Sequence, residues 1–400
     1  MVRSSCCLFG AFLLAHSFAF SQSAKEQLAV VNSAKLVSEG FYDELPFQDK
    51  FGYFTIQARI DTATYEYIFD TGGYNSVTSR VMQNANLPSL LEVEVGSANQ
   101  LKSKIKLSRI PLLQIGKASF QDVGVFNFDF PASPIINCYT NAGLIGKSVI
   151  REAIWQIDYR QSVIRVSDRM ENMPSVEKGQ KIKIRLDKVF NPYLKLSVNG
   201  RQQEFLFDLG YGGLLSMNEK TAASFAFQQT VAIAGEGLVG ANGVTKEKAY
   251  IAALRSVAVG GKELKNQVAY YAPSNKYNLV GSDLAKHFII TMNFKEGYMI
   301  LTPYEGTESA EPLQTFGFGV NIKDGKLYVS NLYEDSTTQR AGLLLDDELV
   351  AVNGQQLAGL SECSRYMFVK SITKKHNEIT IQVKRGAEQK EFSLTKQTSF

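Results

Sequence analysis

The chain has 400 residues, of which 20% are charged and 44% hydrophobic, with a formal net charge of +4. That length suits two or three domains with sizeable cores, and the composition excludes a disordered chain. No block of Lys and Arg stands out, which sets nucleic acid aside as a partner.

Residues 1–21 read as a signal peptide. Arg3 supplies the positive start, residues 8–20 the apolar stretch, and Ala19-Phe20-Ser21 a small-x-small cleavage site. The stretch is short for a bilayer span and contains His16 and Ser17. The expectation is export, to a periplasm or to the outside. Cys138 and Cys363 then remain, far apart in the chain, and read as two unpaired thiols rather than a disulfide scaffold. Residues 22–50 are a lead-in with helical patterning, Leu28, Val31, Leu36 and Val37 among polar residues.

From Phe51 the pattern alternates, with Tyr53, Thr55, Gln57 and Arg59 against Phe54, Ile56 and Ala58. Short strands with turn signals continue to about Thr302, as in a mainly-β core. Within them stands Ile68-Phe69-Asp70-Thr71-Gly72-Gly73, an apolar strand delivering a carboxylate to a glycine turn. Alone it is an ordinary strand end with an Asx-type turn. A second copy, Phe205-Leu206-Phe207-Asp208-Leu209-Gly210, follows 138 residues later (208 − 70). Gly143-Leu144-Ile145-Gly146 with Ile154-Trp155-Gln156-Ile157-Asp158-Tyr159 recurs as Leu279-Val280-Gly281 with Ile289-Ile290-Thr291-Met292-Asn293-Phe294, offset by 135 (281 − 146). Such a repeat decides the fold. It also suggests a chemistry, because two carboxylates brought close together share a proton. One then serves as a base for water and the other as an acid.

In this pattern the chain resembles the aspartic proteases over residues 45 to 305, and in Gly73 and its short lobes the retropepsin-like branch. The resemblance implies two pseudo-twofold-related β-barrel lobes, residues 51–177 and 178–305. Asp70 and Asp208 would be the catalytic pair, and Thr71 would supply a hydroxyl to a cross-lobe network beneath them. Gly72 and Gly210 would form the turns, while Gly146 and Gly281 would sit in the strand beside each aspartate. Residues 93–99 with 105–107, and 235–243, would be flaps over a peptide or protein substrate. No cofactor and no metal are implied, and a monomer suffices because both half-sites lie in one chain. Two positions depart from the family pattern, Leu209 in place of Thr or Ser, and Tyr211 in place of a small residue. They leave a second reading open, a weak or inactive homologue that binds peptides.

Residues 313–398 resemble a PDZ domain. The pieces in order are Gly317-Phe318-Gly319-Val320, Lys326-Leu327-Tyr328-Val329, Arg340-Ala341-Gly342-Leu343, the run from Asp346 to Gly354, and an alternating strand at 379–383. The resemblance makes Gly317, Phe318, Gly319 and Val320 a carboxylate-binding loop, and a C-terminal peptide a ligand. Physically, a glycine turn offers several N–H groups to one anion, and an edge strand can accept a peptide as an extra strand.

Other patterns carry less. Gly143 to Ser148 ends like a phosphate-binding loop, but Asn141 stands where its first glycine belongs, and the repeat has Ser282-Asp283 in place of Lys147-Ser148. No Gly-x-Ser-x-Gly elbow accompanies the histidines, so a Ser-His-Asp hydrolase is set aside. His287 reads as structural and Trp155 as core. No His/Cys/Asp/Glu cluster has metal-ligand spacing.

Overall fold

The computed structural model describes residues 22–96, 101–306 and 313–398. The expected signal peptide and the tip of the first hairpin, 97–100, lie outside them. The chain is mainly β.

The two halves of the repeat are joined by a shared six-stranded sheet. Its order is Gln180–Lys183, Tyr298–Pro303, Phe288–Asn293, Ile154–Asp158, Val163–Ser167 and Tyr42–Pro46. At its centre Ile154–Asp158 and Phe288–Asn293 run antiparallel, with Trp155 opposite Met292, Gln156 opposite Thr291 and Ile157 opposite Ile290. Gln156 and Thr291 are themselves equivalent in the repeat, 135 apart (291 − 156), so the local twofold passes through this pair. The Gln156 amide donates to the Thr291 hydroxyl at 2.9 Å, which satisfies two polar groups that the sheet buries completely. Above the sheet the halves share one apolar cluster that includes Phe69, Trp155, Phe207, Leu209, Val280 and Met292. Trp155 is fully buried, packs against Phe69 and Phe120, and donates its indole N–H to Ile150 O. The core reading of this residue holds.

The lead-in differs from its helical expectation. Only Gln22–Val31 is helical, and Lys35–Leu36, Tyr42–Pro46 and Gln48–Lys50 are strands. Tyr42–Pro46 pairs along Val163–Ser167 at the sheet edge, where Glu44 meets the buried Arg165 at 2.9 Å. The 3.6-residue pattern ends after Val31, and tertiary pairing decides the rest.

The cysteines also differ. Cys138 and Cys363 form a disulfide with Cα atoms 4.9 Å apart and a sequence separation of 225. The cause is packing at a distance. The C-terminal helix Glu362–Lys375 lies against the 3-10 turn Pro134–Cys138 of the first half, so the two cysteines meet within disulfide range. A cross-link closing so long a loop restricts the unfolded chain and is typically worth about 2–4 kcal/mol.

The C-terminal residues thus pack back onto both halves. Strand Lys326–Tyr333 pairs with Thr230–Gly240 of the second half, at Ile233 to Tyr333, Ala234 to Leu332 and Gly235 to Asn331. A buried cluster pins this seam, with the Glu236 carboxylate accepting from Asn321 Nδ2 and the Tyr328 hydroxyl, and Glu236 O accepting from Asn331.

Candidate functional site

Each aspartate stands at the end of a buried strand, Ala63–Phe69 for Asp70 and Arg201–Phe207 for Asp208. The final positions of both strands are apolar and fully enclosed, so each carboxylate is carried inward. Beside Ala63–Phe69 runs Gly143–Ile145 in parallel, and beside Arg201–Phe207 runs Leu279–Val280 in parallel. The backbone bonds repeat residue for residue. Asp70 N donates to Ile145 O and Asp208 N to Val280 O, each at 2.9 Å. Lys147 N donates to Gly73 O at 3.0 Å, and Ser282 N to Tyr211 O at 2.9 Å. Gly146 and Gly281 follow those parallel strands, and each packs so closely on the loop after its aspartate that a Cβ would strike backbone.

The two aspartates meet. A Cβ added at Gly72 would come within 2.5 Å of the Asp208 carboxyl, and one added at Gly210 within 2.6 Å of Asp70 Oδ2. Each glycine turn therefore carries the other half's carboxylate directly on its backbone, an approach no side chain would permit. Both aspartates are fully buried. Beneath them Thr71 Oγ1 donates to Phe207 O at 2.7 Å and accepts from Leu209 N at 3.0 Å, so this one hydroxyl ties the two loops together. Leu209 takes part through its backbone, and its side chain is enclosed in the shared core. Tyr211 turns away from the carboxylates. Its hydroxyl donates to Leu215 O, and its ring joins an apolar cluster with Leu206, Ile233 and Leu279.

The carboxylates are not equivalent. Asp70 Oδ1 accepts two backbone N–H groups, Gly72 at 2.8 Å and Gly73 at 2.9 Å. Asp208 Oδ1 accepts Gly210 N at 2.9 Å, whereas Tyr211 N donates to the Asp208 backbone carbonyl at 3.0 Å. Oδ2 of both residues is buried with no donor among the described residues. Two buried acceptors facing each other are satisfied by one shared proton. Burial pushes both carboxyls above the ordinary carboxylate range, and the charge on Asp70 drives Asp208 further up. The extra N–H donor favours the anion on Asp70 and leaves the proton with Asp208.

One half contributes a cation that the other lacks. Lys147 is completely buried, its Nζ donates to Asn191 Oδ1 at 2.5 Å, and it lies 3.8 Å from the centre of the Tyr74 ring. Asn191 in turn donates to Asp187 Oδ2 at 2.9 Å, in the segment that links the halves. Burial pushes the ammonium down to about 8, against the pull of Asp187, Asp70 and Asp208. The equivalent residue is Ser282. The signal for Lys147 was present as a lone cation inside the apolar run from Gly143 to Ile150, but its partners come from residues about 40 positions further on and were not readable.

Two hairpins reach across between the halves. Ser89–Gly96 pairs with the start of Lys102–Ile115, and Thr230–Gly240 with Gly243–Lys246. Asn242 at the second turn donates to Val95 O at 3.1 Å and Leu101 O at 2.8 Å, and accepts from the Ser103 hydroxyl at 2.6 Å. Both flap candidates are therefore hairpins, and their ends are hydrogen-bonded to each other.

Of the C-terminal candidates, Gly317 lies in a turn, and Phe318, Gly319 and Val320 open strand Phe318–Lys323, with a register shift between Gly319 and Val320. Gly317 N donates to Thr315 Oγ1 at 3.0 Å. His287 is buried.

No protein-family model matches the chain, and neither does any curated protein. Among solved structures the chain is similar to a retropepsin-like aspartic protease from Rickettsia conorii, at 21% identity over 31% of this chain and 90% of that one, with a TM-score of 0.23. It is similar also to basic 7S globulin from soybean, at 9% identity over 67% of this chain and 95% of that one, with a TM-score of 0.37. Both likenesses are partial, and the site is read from its own geometry.

Proposed function

We propose that the chain is an aspartic-type endopeptidase built from two retropepsin-like lobes, residues 51–177 and 178–305, followed by a PDZ domain at 313–398 that recognises peptide or substrate. The observation that carries this reading is the crossed packing of Gly72 on the Asp208 carboxyl and Gly210 on the Asp70 carboxyl, with an unpartnered Oδ2 on each aspartate. Asp70, the anion with two backbone N–H donors, takes a proton from water as the water attacks the peptide carbonyl. Asp208 gives its proton to the carbonyl oxygen; as the tetrahedral intermediate collapses, Asp70 passes the proton it took from water to the leaving amine, and Asp208 recovers a proton from a hydroxyl of the intermediate. The two hairpins joined at Asn242 act as flaps that open to admit substrate. A signal peptide at 1–21 exports the chain, and the Cys138–Cys363 disulfide supports an oxidising destination. The test is a cleavage assay on a peptide library between pH 3 and pH 8, with wild type beside Asp70→Asn. Cleavage by wild type alone supports the reading, and equal inactivity of the two on every peptide overturns it.

A second reading, a peptide-binding protein without catalysis, is favoured by Leu209. Its buried side chain leaves Thr71 as the sole hydroxyl bridging the two loops among the described residues. Binding of a peptide by wild type, with no cleavage at any pH, would select it.

A further inference from the structure

The strand Phe318–Lys323 and the helix Glu362–Lys375 flank the groove in which the C-terminal domain, on the reading above, would seat a peptide. That groove is filled by the chain itself. The 3-10 turn Pro134–Cys138 of the first half packs against both the strand and the helix. Phe130, Ile135, Ile136 and Tyr139 share one buried apolar cluster with Phe318, Ile322, Tyr366 and Val369. The hydroxyls of Tyr139 and Tyr366 are hydrogen-bonded at 2.8 Å, and Cys138 is bonded to Cys363 in the first turn of the helix.

Two features distinguish this segment from ordinary core. Phe130, a bulky aromatic, is held at φ 50°, in the left-handed region that such residues avoid. Both cysteines are only half-buried, and Asn137, Ser361, Glu362 and Ser364 around them are exposed, so a thiol can reach the bond. The segment is thus strained, pinned at one accessible point, and seated where a peptide would lie.

We propose that residues 130–139 are an internal plug of this groove, locked by the Cys138–Cys363 disulfide and released when a dithiol reductant cleaves it. One thiolate of the reductant attacks a sulfur and forms a mixed disulfide, and its second thiol resolves that intermediate. The reductant leaves oxidised as a disulfide, and Cys138 and Cys363 each take up a proton as thiols. The freed groove then accepts a peptide ending in an apolar residue and a free carboxylate. This last step rests on the peptide-binding reading of residues 313–398, whereas release of the plug does not.

The experiment uses the full chain in three forms: oxidised, reduced with dithiothreitol, and Cys138→Ser with Cys363→Ser. Hydrogen exchange is followed in residues 130–139, and fluorescence anisotropy follows a labelled apolar peptide with a free or amidated C-terminus. Exchange in 130–139 should speed up at least tenfold in the reduced and double-serine forms, and the free-carboxylate peptide should bind at least tenfold tighter to them than to the oxidised form. Added to the double-serine form, Ile136→Asp should enlarge both changes, whereas in the oxidised protein the intact bond should still hold the groove closed to the peptide. Unchanged exchange after loss of the disulfide, in protein whose melting remains cooperative, overturns the plug. Faster exchange without binding of either peptide upholds the plug and removes the peptide-binding reading instead.

Discussion

The loop at Asp70 and the loop at Asp208 share a backbone plan and differ in chemistry. Both end a buried strand, lean on a parallel neighbour and carry the opposite carboxyl on their glycine. Yet Asp70 receives two N–H donors, owns the bridging hydroxyl of Thr71 and has a buried lysine on its side. Asp208 receives one donor, with Leu209 and Tyr211 given over to packing. The difference teaches that a duplicated loop can keep its fold with one polar half and one apolar half, and on the protease reading we propose, the asymmetry would make Asp70 the base and Asp208 the acid.

The comparison can be broken at several points. Asp70→Asn removes the base and should lower peptide cleavage by on the order of 10²–10⁴-fold or more, read as initial rate at the wild-type optimum. Thr71→Ala strands Phe207 O and Leu209 N, both buried, at a cost of roughly 1–3 kcal/mol for each group. Chemical denaturation should show that loss, and Leu209→Ala should not reproduce the accompanying fall in activity. Lys147→Met removes the cation that favours the Asp70 anion. The acid limb of the rate profile should move to higher pH, while Lys147→Arg should hold it in place.

A smaller effect sharpens the asymmetry. A carboxyl whose folded pKa is raised stabilises the fold fully only below its unfolded value, and that contribution is lost as pH rises through the folded value. Asp208 is such a group. Asp208→Asn should therefore melt higher than wild type at pH 7 and show no gain at pH 3. The smallest change is expected at Leu209→Thr. Its backbone N–H already bonds Thr71, so the substitution should cost about 1–2 kcal/mol of burial and alter the cleavage rate by less than about tenfold, a factor worth 1.4 kcal/mol.

The paired strand ends were legible in the sequence because they are local patterns repeated at a fixed offset. Asp70, Asp208, Gly146 and Gly281 all lie where the repeat places them. What the sequence withheld depends on contacts between distant segments. Lys147 looked like the tail of a failed phosphate loop, and only Asn191 and Tyr74 reveal why a cation can be buried there. Cys138 and Cys363 looked unpaired because nothing local says that the C-terminal helix folds back onto the first half. Residues 35–50 hold no strong strand pattern, and they pair because distant strands offer them partners: Tyr42–Pro46 at the edge of the shared sheet, Lys35–Leu36 and Gln48–Lys50 on strands of the first half.

The central claim is that one proton is shared between Asp70 and Asp208, held on Asp208 at neutral pH. Carboxyl ¹³C NMR of aspartate-labelled protein, titrated from pH 3 to pH 8 with Asp70→Asn and Asp208→Asn for assignment, tests it most directly. The account predicts one carboxyl that remains protonated at pH 7 in wild type, assigned to Asp208, beside an ionised Asp70. Two carboxyls that both ionise near the ordinary value of about 4, each indifferent to substitution of the other, would contradict it.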